Sequence, residues 1–548
     1  MTPGMRLLFY QKKLKVMKHK YAFLLILLIA FHAVNNYVWL KQDNESLAKD
    51  TASHVNRIIS IREELQNIDL FREKIPEEPG PLATVFAPGS ACWPQFFHFI
   101  AALISFGCKD ILFCIRFYNM LYFALLVVAV YFLGKKLFNP QAGMLAACII
   151  SFYPGVFGLS RKCGLDFPLI AFICVVAYFL LNCDNFQKRL PSILFGVSLG
   201  VATFFKVQIL IFIAGPLAYV ALKGLIYGRD KKGCFSNLFF SLALAAAISL
   251  IWWNRIFFIE APEANAYAKL VFKYFSINVP LQMRKYFEAL YIHMSPLFSA
   301  AFLLGLFLCF RKASRDAMFF LGCWIIPPYL FFSGMLPYNN QRYIFPVFGA
   351  LTLISAMGLM QIPAKKTKRF LIASLLILGI VQFFLVSYRG ALEPFVFTSE
   401  FGQPPEKNNH RAVMEKFNWI IETDCPGQKR IAIIEEQYFK TDFCIRLGYL
   451  LKVLNKENKV FLSAGGFIVP RFQVSKEFLD NVNDFQFLIA FSENEEGPDF
   501  SGLLASSISA EREAVLKVME QFKSYMVMER AMLLPDEIYV FLLRRQED

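Results

Sequence analysis

The stretch that decides the fold is AGMLAACIISFYPGVFGLSRKCGLDFPLIAF, residues 142–172. Two apolar runs meet there at a short polar joint, SRKCGL at 160–165, and the second run opens on a carboxylate, Asp166. Runs of this length and apolarity cross about 30 Å of hydrocarbon as helices. In lipid only helices or closed barrels satisfy every backbone group. Ionisable residues at such a joint are costly and tend to mark function.

Outward from this hairpin the pattern continues. Apolar runs lie at 21–40, 111–133, 141–159, 166–182, 190–205, 207–225, 237–258, 294–310, 317–335, 343–361 and 369–388. They predict a mainly α, polytopic membrane fold of about eleven transmembrane helices. Composition agrees: only 18% of the 548 residues are charged, and 61 are Phe. A soluble domain carries roughly 25% charged residues. Phe is cheap to expose to lipid and costly to expose to water. The first run, behind a basic tail of residues 1–20, is long enough to span and has no small-residue cleavage site after it, so it reads as an anchor and not a cleavable signal.

The net charge of +15 resides in short loops, not in one patch interleaved with aromatics, so no nucleic-acid partner is expected. Basic loops favour the cytoplasm. If the apolar stretch 94–108 (PQFFHFIAALISFGC) does not cross, then Lys135, Lys188, Lys231, Lys312, Lys365 and their basic neighbours all fall inside with the N-terminal tail. If it does cross, all of them flip outward. We therefore read 94–108 as a juxtamembrane element. The N-terminus is then cytoplasmic, 41–110 forms a long outer loop with juxtamembrane helices, and 21–389 forms the membrane domain.

Residues 390–548 then read as an extracytoplasmic α/β domain. Helical periodicity at 409–421, 443–455 and 511–522 alternates with strand-like runs at 431–436 and 487–491. No glycine-rich phosphate fingerprint follows a strand, and no cofactor is assigned to it. The twelve Cys are scattered and read as small buried hydrophobes, with Cys425 and Cys444 as a candidate pair outside the membrane.

On this topology polar residues collect at one membrane face. Asp43, Asp50 and His54 follow the first span, Arg161, Lys162 and Asp166 occupy the 142–172 joint, Lys206 separates two apolar runs, and Arg342 with Tyr343 opens the tenth span. Asp50 and His54 stand four apart on one face of an amphipathic helix whose other face holds Val55, Ile58 and Ile59. Each residue also has a plain structural reading: Asp50 as an N-cap, Asp166 as a carboxylate favoured by a helix dipole, Lys206 snorkelling, Arg342 as an interfacial anchor. Arg161 and Lys162 sit on the outer face against the charge rule, so an anionic ligand or lipid headgroups must offset them.

The order of these stretches resembles the GT-C fold membrane glycosyltransferases, in particular family 39, which includes protein O-mannosyltransferases and bacterial lipid A aminoarabinose transferases. The likeness rests on KDTASHVNRI at 49–58, WPQFFHFIAALISFG at 93–107, RFYNMLYFALLVVAVYFLGKKLF at 116–138, the 142–172 hairpin, GVSLGVATFFKVQILIF at 196–212 and NNQRYIFPVFGALTLISAMGL at 339–359. It covers about residues 20–390 and not the C-terminal domain.

The resemblance implies transfer of a sugar from a polyprenyl-phosphate-linked donor to an acceptor hydroxyl on a lipid, glycan or protein at the outer face, as in cell-envelope glycosylation. It implies a bacterial inner membrane. Asp50 becomes the candidate general base, with Asp43 as its competitor. Asp166 becomes a second catalytic acid residue, and Lys206 and Arg342 become contacts to the lipid phosphate. His54, Arg161, Lys162 and Tyr343 are further candidates. Some relatives hold a divalent metal between outer-loop carboxylates; no full ligand set is visible here and no metal is assigned. Aminoarabinose transferases carry Glu-Lys-Pro-Pro where this chain reads PGSACWP at 88–94, so their donor and acceptor are not expected. Three other readings stay open. A transporter or flippase would show internal repeats, a polysaccharide polymerase or ligase would have its large outer loop late in the chain, and a noncatalytic assembly subunit would need no site at all.

Overall fold

The computed structural model describes residues 3–43, 49–66, 96–108, 110–258, 279–312, 315–335, 340–389 and 403–405. Farther on it describes scattered positions from 413 to 423 and five strands. The chain divides into two compact units, Met1–Lys41 with Ile61–Pro404, and Gln42–Ser60 with Pro405–Asp548.

The first unit is helical. It contains α1 (Pro3–Gln42), the end of α2 (Lys49–Gln66), α3 (Phe96–Ser105), α4 (Ile111–Phe117), α5 (Asn119–Leu137), α6 (Pro140–Ser151), α7 (Pro154–Leu159) and α8 (Asp166–Asn182). Then come α9 (Arg189–Thr203), α10 (Ile209–Tyr227), α11 (Lys231–Phe258), α12 (Val279–Met294), α13 (Pro296–Lys312) and α14 (Arg315–Met335). A 3-10 helix Gln341–Val347 runs into α15 (Phe348–Met360), and α16 (Lys365–Phe384) ends in a π-turn at Leu385–Arg389. Among the described residues, seven helices are long and apolar enough to cross a membrane. The pair α12–α13 passes the same test only when taken together and is bent by 108°, the geometry of a broken span or a re-entrant loop. The remaining expected spans are the shorter helices α6, α8 and α9. The protein is thus a multi-pass membrane protein.

Proline explains one departure from the expected spans. Run 141–159 is not one helix, because Pro154 forces Tyr153 into extended backbone (φ −67°, ψ 125°) and splits it into α6 and α7. Helix α3 has 10 residues and rises about 15 Å, half of the hydrocarbon thickness.

Small residues let the helices approach. A Cβ on Gly134 of α5 would stand 2.6 Å from the Cα of Gly143 in α6, so any side chain there would force the helices apart. The many Phe serve two solvents. Phe235, Phe239, Phe310 and Phe370 face outward, while Phe97, Phe123, Phe157, Phe167 and Phe205 are wholly buried.

One expectation about cysteine needs correction. Cys108 and Cys114 are not buried hydrophobes but a disulfide joining the end of α3 to α4. The elbow between two short helices, with Asp110 capping α4 by accepting from the Phe113 amide at 3.0 Å, brings the thiols together. The expected behaviour holds for Cys163, Cys174, Cys183, Cys234 and Cys309, which are free and buried. Cys425 and Cys444 lie outside the described residues.

In the second unit the sheet order is β2-β1-β3-β5-β4, with β1 Arg430–Glu435, β2 Lys459–Leu462, β3 Phe487–Ser492, β4 Tyr525–Leu533 and β5 Ile538–Arg545. Strand β1 pairs in parallel with β2 and β3, Ile433 standing opposite Leu462 and Ile489. The hairpin β4–β5 adds antiparallel to β3. The two expected strands are β1 and β3; β2, β4 and β5 were not expected. Expected helices 443–455 and 511–522 lie outside the described residues.

Candidate functional site

Four polar residues from three separate stretches converge. Asp166 is the first residue of α8, where the helix dipole favours a carboxylate. Lys206 lies in the tight link between α9 and α10, its amide donating to the Ala202 carbonyl at 3.4 Å. Arg342 is the second residue of the 3-10 helix that feeds α15. Lys206 Nζ donates to Asp166 Oδ1 in a close ion pair. Arg342 Nη1 lies 3.3 Å from Asp166 Oδ2. The ring of Tyr343 sits under the ammonium, with Nζ 5.4 Å from its centroid.

The cluster is partly dry. The side chains of Lys206, Asp166 and Arg342 keep 4%, 12% and 22% of their surface. Removing these charges from water is costly, and only close pairing offsets it. One carboxylate here serves two cations. Arg342 retains exposure through which an anion can reach it. Asn340 orients that guanidinium: its Oδ1 caps the 3-10 helix, accepting from the Arg342 amide at 3.2 Å and from Nε at 3.0 Å.

Arg161 stands in a different setting. It is fully buried, donating from Nε to Asn36 Oδ1 at 2.9 Å and from Nη2 to Ser387 Oγ at 3.0 Å. Its guanidinium lies 4.9, 5.1 and 5.5 Å from the rings of Trp39, Phe157 and Phe383. Such contacts tie α1, α7 and the end of α16 together. The backbone carbonyls of Arg161 and Lys162 accept from Arg116 Nε and Asn119 Nδ2. Protein contacts thus hold the Arg161 side chain and the backbone of the joint.

Asp50 lies in the first turn of α2, and His54 one turn on. Val55, Ile58 and Ile59 are buried, as an amphipathic helix requires. Asp43 lies between α1 and α2. These three residues group with the second unit.

Among the described residues no group of three or more His, Cys, Asp or Glu is placed to hold a metal ion. Both oxygens of Asp166 already face cations, which would repel a divalent metal there. The described site does not fit one.

Asn340, Gln341 and His293, which contact one another or Arg342, were not among the residues expected from the sequence. An Asn opening a short helical turn two residues before a key Arg was a usable signal. His293 is linked to this site only through space.

The fold is that of the GT-C membrane glycosyltransferases, as the resemblance implied. A family model described as dolichyl-phosphate-mannose-protein mannosyltransferase matches residues 94–253. An undecaprenyl phosphate-alpha-4-amino-4-deoxy-L-arabinose arabinosyl transferase of Yersinia pestis is 29% identical over 269 residues, 44% of this chain. The counterpart of Yersinia pseudotuberculosis matches to the same extent. The chain spans about half, 45%, of the length of these relatives. In structure the chain is similar to ArnT from Cupriavidus metallidurans in the apo state, with a TM-score of 0.58 at 16% identity, covering 94% of this chain and 97% of that one. ArnT bound to undecaprenyl phosphate gives a TM-score of 0.56 at the same identity and coverage. The archaeal oligosaccharyltransferase AglB from Archaeoglobus fulgidus, in complex with an inhibitory peptide and a dolichol-phosphate, gives 0.52 at 12% identity, covering 94% and 74%.

Proposed function

We propose that this protein is a glycosyltransferase that moves a sugar from a polyprenyl-phosphate-linked donor to an acceptor hydroxyl at the outer face of the membrane. The observation that carries this is the convergence of Lys206 and Arg342 on Asp166, with Arg342 still accessible, in a chain with the ArnT fold. The named relatives act with undecaprenyl phosphate sugars, and one ArnT structure holds the lipid phosphate itself.

In this reading Lys206 and Arg342 bind the phosphate of the donor and stabilise it as it leaves. Asp166 keeps both cations in place before the lipid arrives. Asp50, in preference to Asp43, takes the proton of the acceptor hydroxyl. The acceptor oxygen bonds to the anomeric carbon, the bond from that carbon to the phosphate oxygen breaks, and the sugar configuration inverts. By the family resemblance, PGSACWP at 88–94 in place of the aminoarabinose transferases' Glu-Lys-Pro-Pro implies a different sugar and acceptor from theirs. The basic loops and the Cys108–Cys114 disulfide both favour this site facing outward from a bacterial inner membrane, since disulfides persist in oxidising compartments.

The test is to incubate the purified protein with a panel of polyprenyl-phosphate sugars and measure released polyprenyl phosphate. Release that requires an acceptor supports the reading. Transbilayer movement of the lipid without sugar release overturns it.

A further inference from the structure

The segment Asn340-Gln341-Arg342-Tyr343 begins a 3-10 helix, whose backbone hydrogen bonds are weaker than those of an α-helix. Side-chain anchors therefore decide which way Arg342 points. One anchor comes from the same turn, through Asn340. Another comes from 48 residues earlier in the chain. His293 Nε2 donates to Gln341 Oε1 at 2.7 Å, and Gln341 is the residue directly before Arg342.

His293 is itself held on every side. It is 1% exposed. Its ring stands 4.5 Å from that of Phe345, one turn further along the same 3-10 helix. On its other side is Gly155 of α7, where an added Cβ would lie 2.8 Å from His293 Cβ. Helix α7 is the element that leads into the Asp166 turn. His293 thus fills the space between the element that precedes Asp166 and the one that carries Arg342.

The helix break beside it explains how His293 can be placed this way. Ser295, two residues on, has φ 76°, a left-handed conformation uncommon outside glycine. That turn lets α12 and α13 meet at 108°. It is locked by Ser295 Oγ donating to Gln382 Oε1 of α16 at 2.8 Å. A strained residue in a broken span, tied to a neighbouring helix, fixes where His293 projects.

We infer that His293 is a positioning residue for the lipid-phosphate site, acting through Gln341 to set the direction of Arg342. The inference rests on the reading of Lys206 and Arg342 as phosphate contacts. Its test measures binding of undecaprenyl phosphate to the full-length protein in nanodiscs. The variants are His293→Ala, His293→Gln, Gln341→Leu, Arg342→Gln and the double variant His293→Ala/Arg342→Gln.

His293→Ala weakens binding by about tenfold, the size expected for one hydrogen bond to a positioning group. His293→Gln restores a donor near the Nε2 position and binds within about twofold of wild type. Gln341→Leu, at an exposed residue that tolerates the change, breaks the same link from its other end and gives the loss seen with His293→Ala. In the Arg342→Gln background, His293→Ala adds no further loss, because the group it positions is gone. A merely structural histidine would make the two losses multiply, and that result overturns the inference. Full binding by Gln341→Leu overturns it too, even if His293→Ala does not fold. If Arg342→Gln itself binds like wild type, the phosphate reading of the site fails; if Arg342→Gln weakens binding while His293→Ala and Gln341→Leu do not, the positioning role alone fails.

Discussion

Lys206 and Asp166 form an ion pair across 40 residues of sequence, with the lysine side chain 4% exposed. Each has its charge stabilised by the other, and Arg342 shares the carboxylate at 3.3 Å.

Asp166→Asn removes the carboxylate that offsets two nearby cations. Taking one partner from a buried pair costs on the order of 3–5 kcal/mol. The variant should melt well below wild type in detergent and should lose sugar transfer. Lys206→Met in the same chain should recover much of the stability and none of the activity. Equal melting of Asp166→Asn and wild type would show the pair to be energetically idle.

Asp50→Asn should leave membrane insertion and melting temperature unchanged, because the substitution is nearly isosteric in the first turn of a helix. Loss of a general base lowers turnover by roughly 10²–10⁴-fold. Asp43→Asn should retain most activity. Measuring kcat for both variants decides between them, and the opposite ranking transfers the role to Asp43.

The disulfide makes a chemical prediction about sidedness. Cys108 and Cys114 should resist alkylation in the denatured, unreduced protein and react after reduction. Mass spectrometry of the peptide that contains both is sufficient. Free thiols in protein purified from its native membrane would remove the disulfide as support for an outward-facing site.

Cys163, in the joint before α8, should be inert in the folded protein. Burial pushes its thiol up to about 12, with a smaller downward pull from Arg116. Its thiolate is therefore scarce below about pH 10, where thiol reagents attack. Iodoacetamide at pH 8 should modify it only after unfolding. Modification at native rates would mean that the 160–165 joint opens.

The spans and the residues at their ends were legible because lipid imposes a strict length and polarity on each crossing. All eleven expected runs fall on helices, and 94–108 contains a 10-residue helix. Asp166, Lys206, Arg342 and Tyr343 stood out because a charge or a polar ring at a span end needs a reason. Strands β2, β4 and β5 did not stand out: β2 has only 4 residues, and a continuous apolar run such as IYVFLL at 538–543 in β5 carries no alternation that separates strand from buried helix. Nor did the Cys108–Cys114 bond, because cysteine in an apolar stretch reads as a small hydrophobe until an elbow brings two together.

By itself the sequence determined that this chain threads a membrane many times and that its unusual charges belong to a few span ends, because hydropathy and charge are properties of each segment alone. Only the tertiary structure decided which of those charges meet. Arg161, flagged with the others, is held instead in a ring of Trp39, Phe157 and Phe383. His293, not flagged at all, reaches Gln341 because Ser295 breaks a span and turns it. Pairing depends on where helices cross and break, and those crossings are set by packing between segments distant in sequence, such as Gly134 on Gly143. Asp166 could be read as a charge at a helix mouth from its neighbours in sequence; that it holds Lys206 and Arg342 together is a fact of three dimensions.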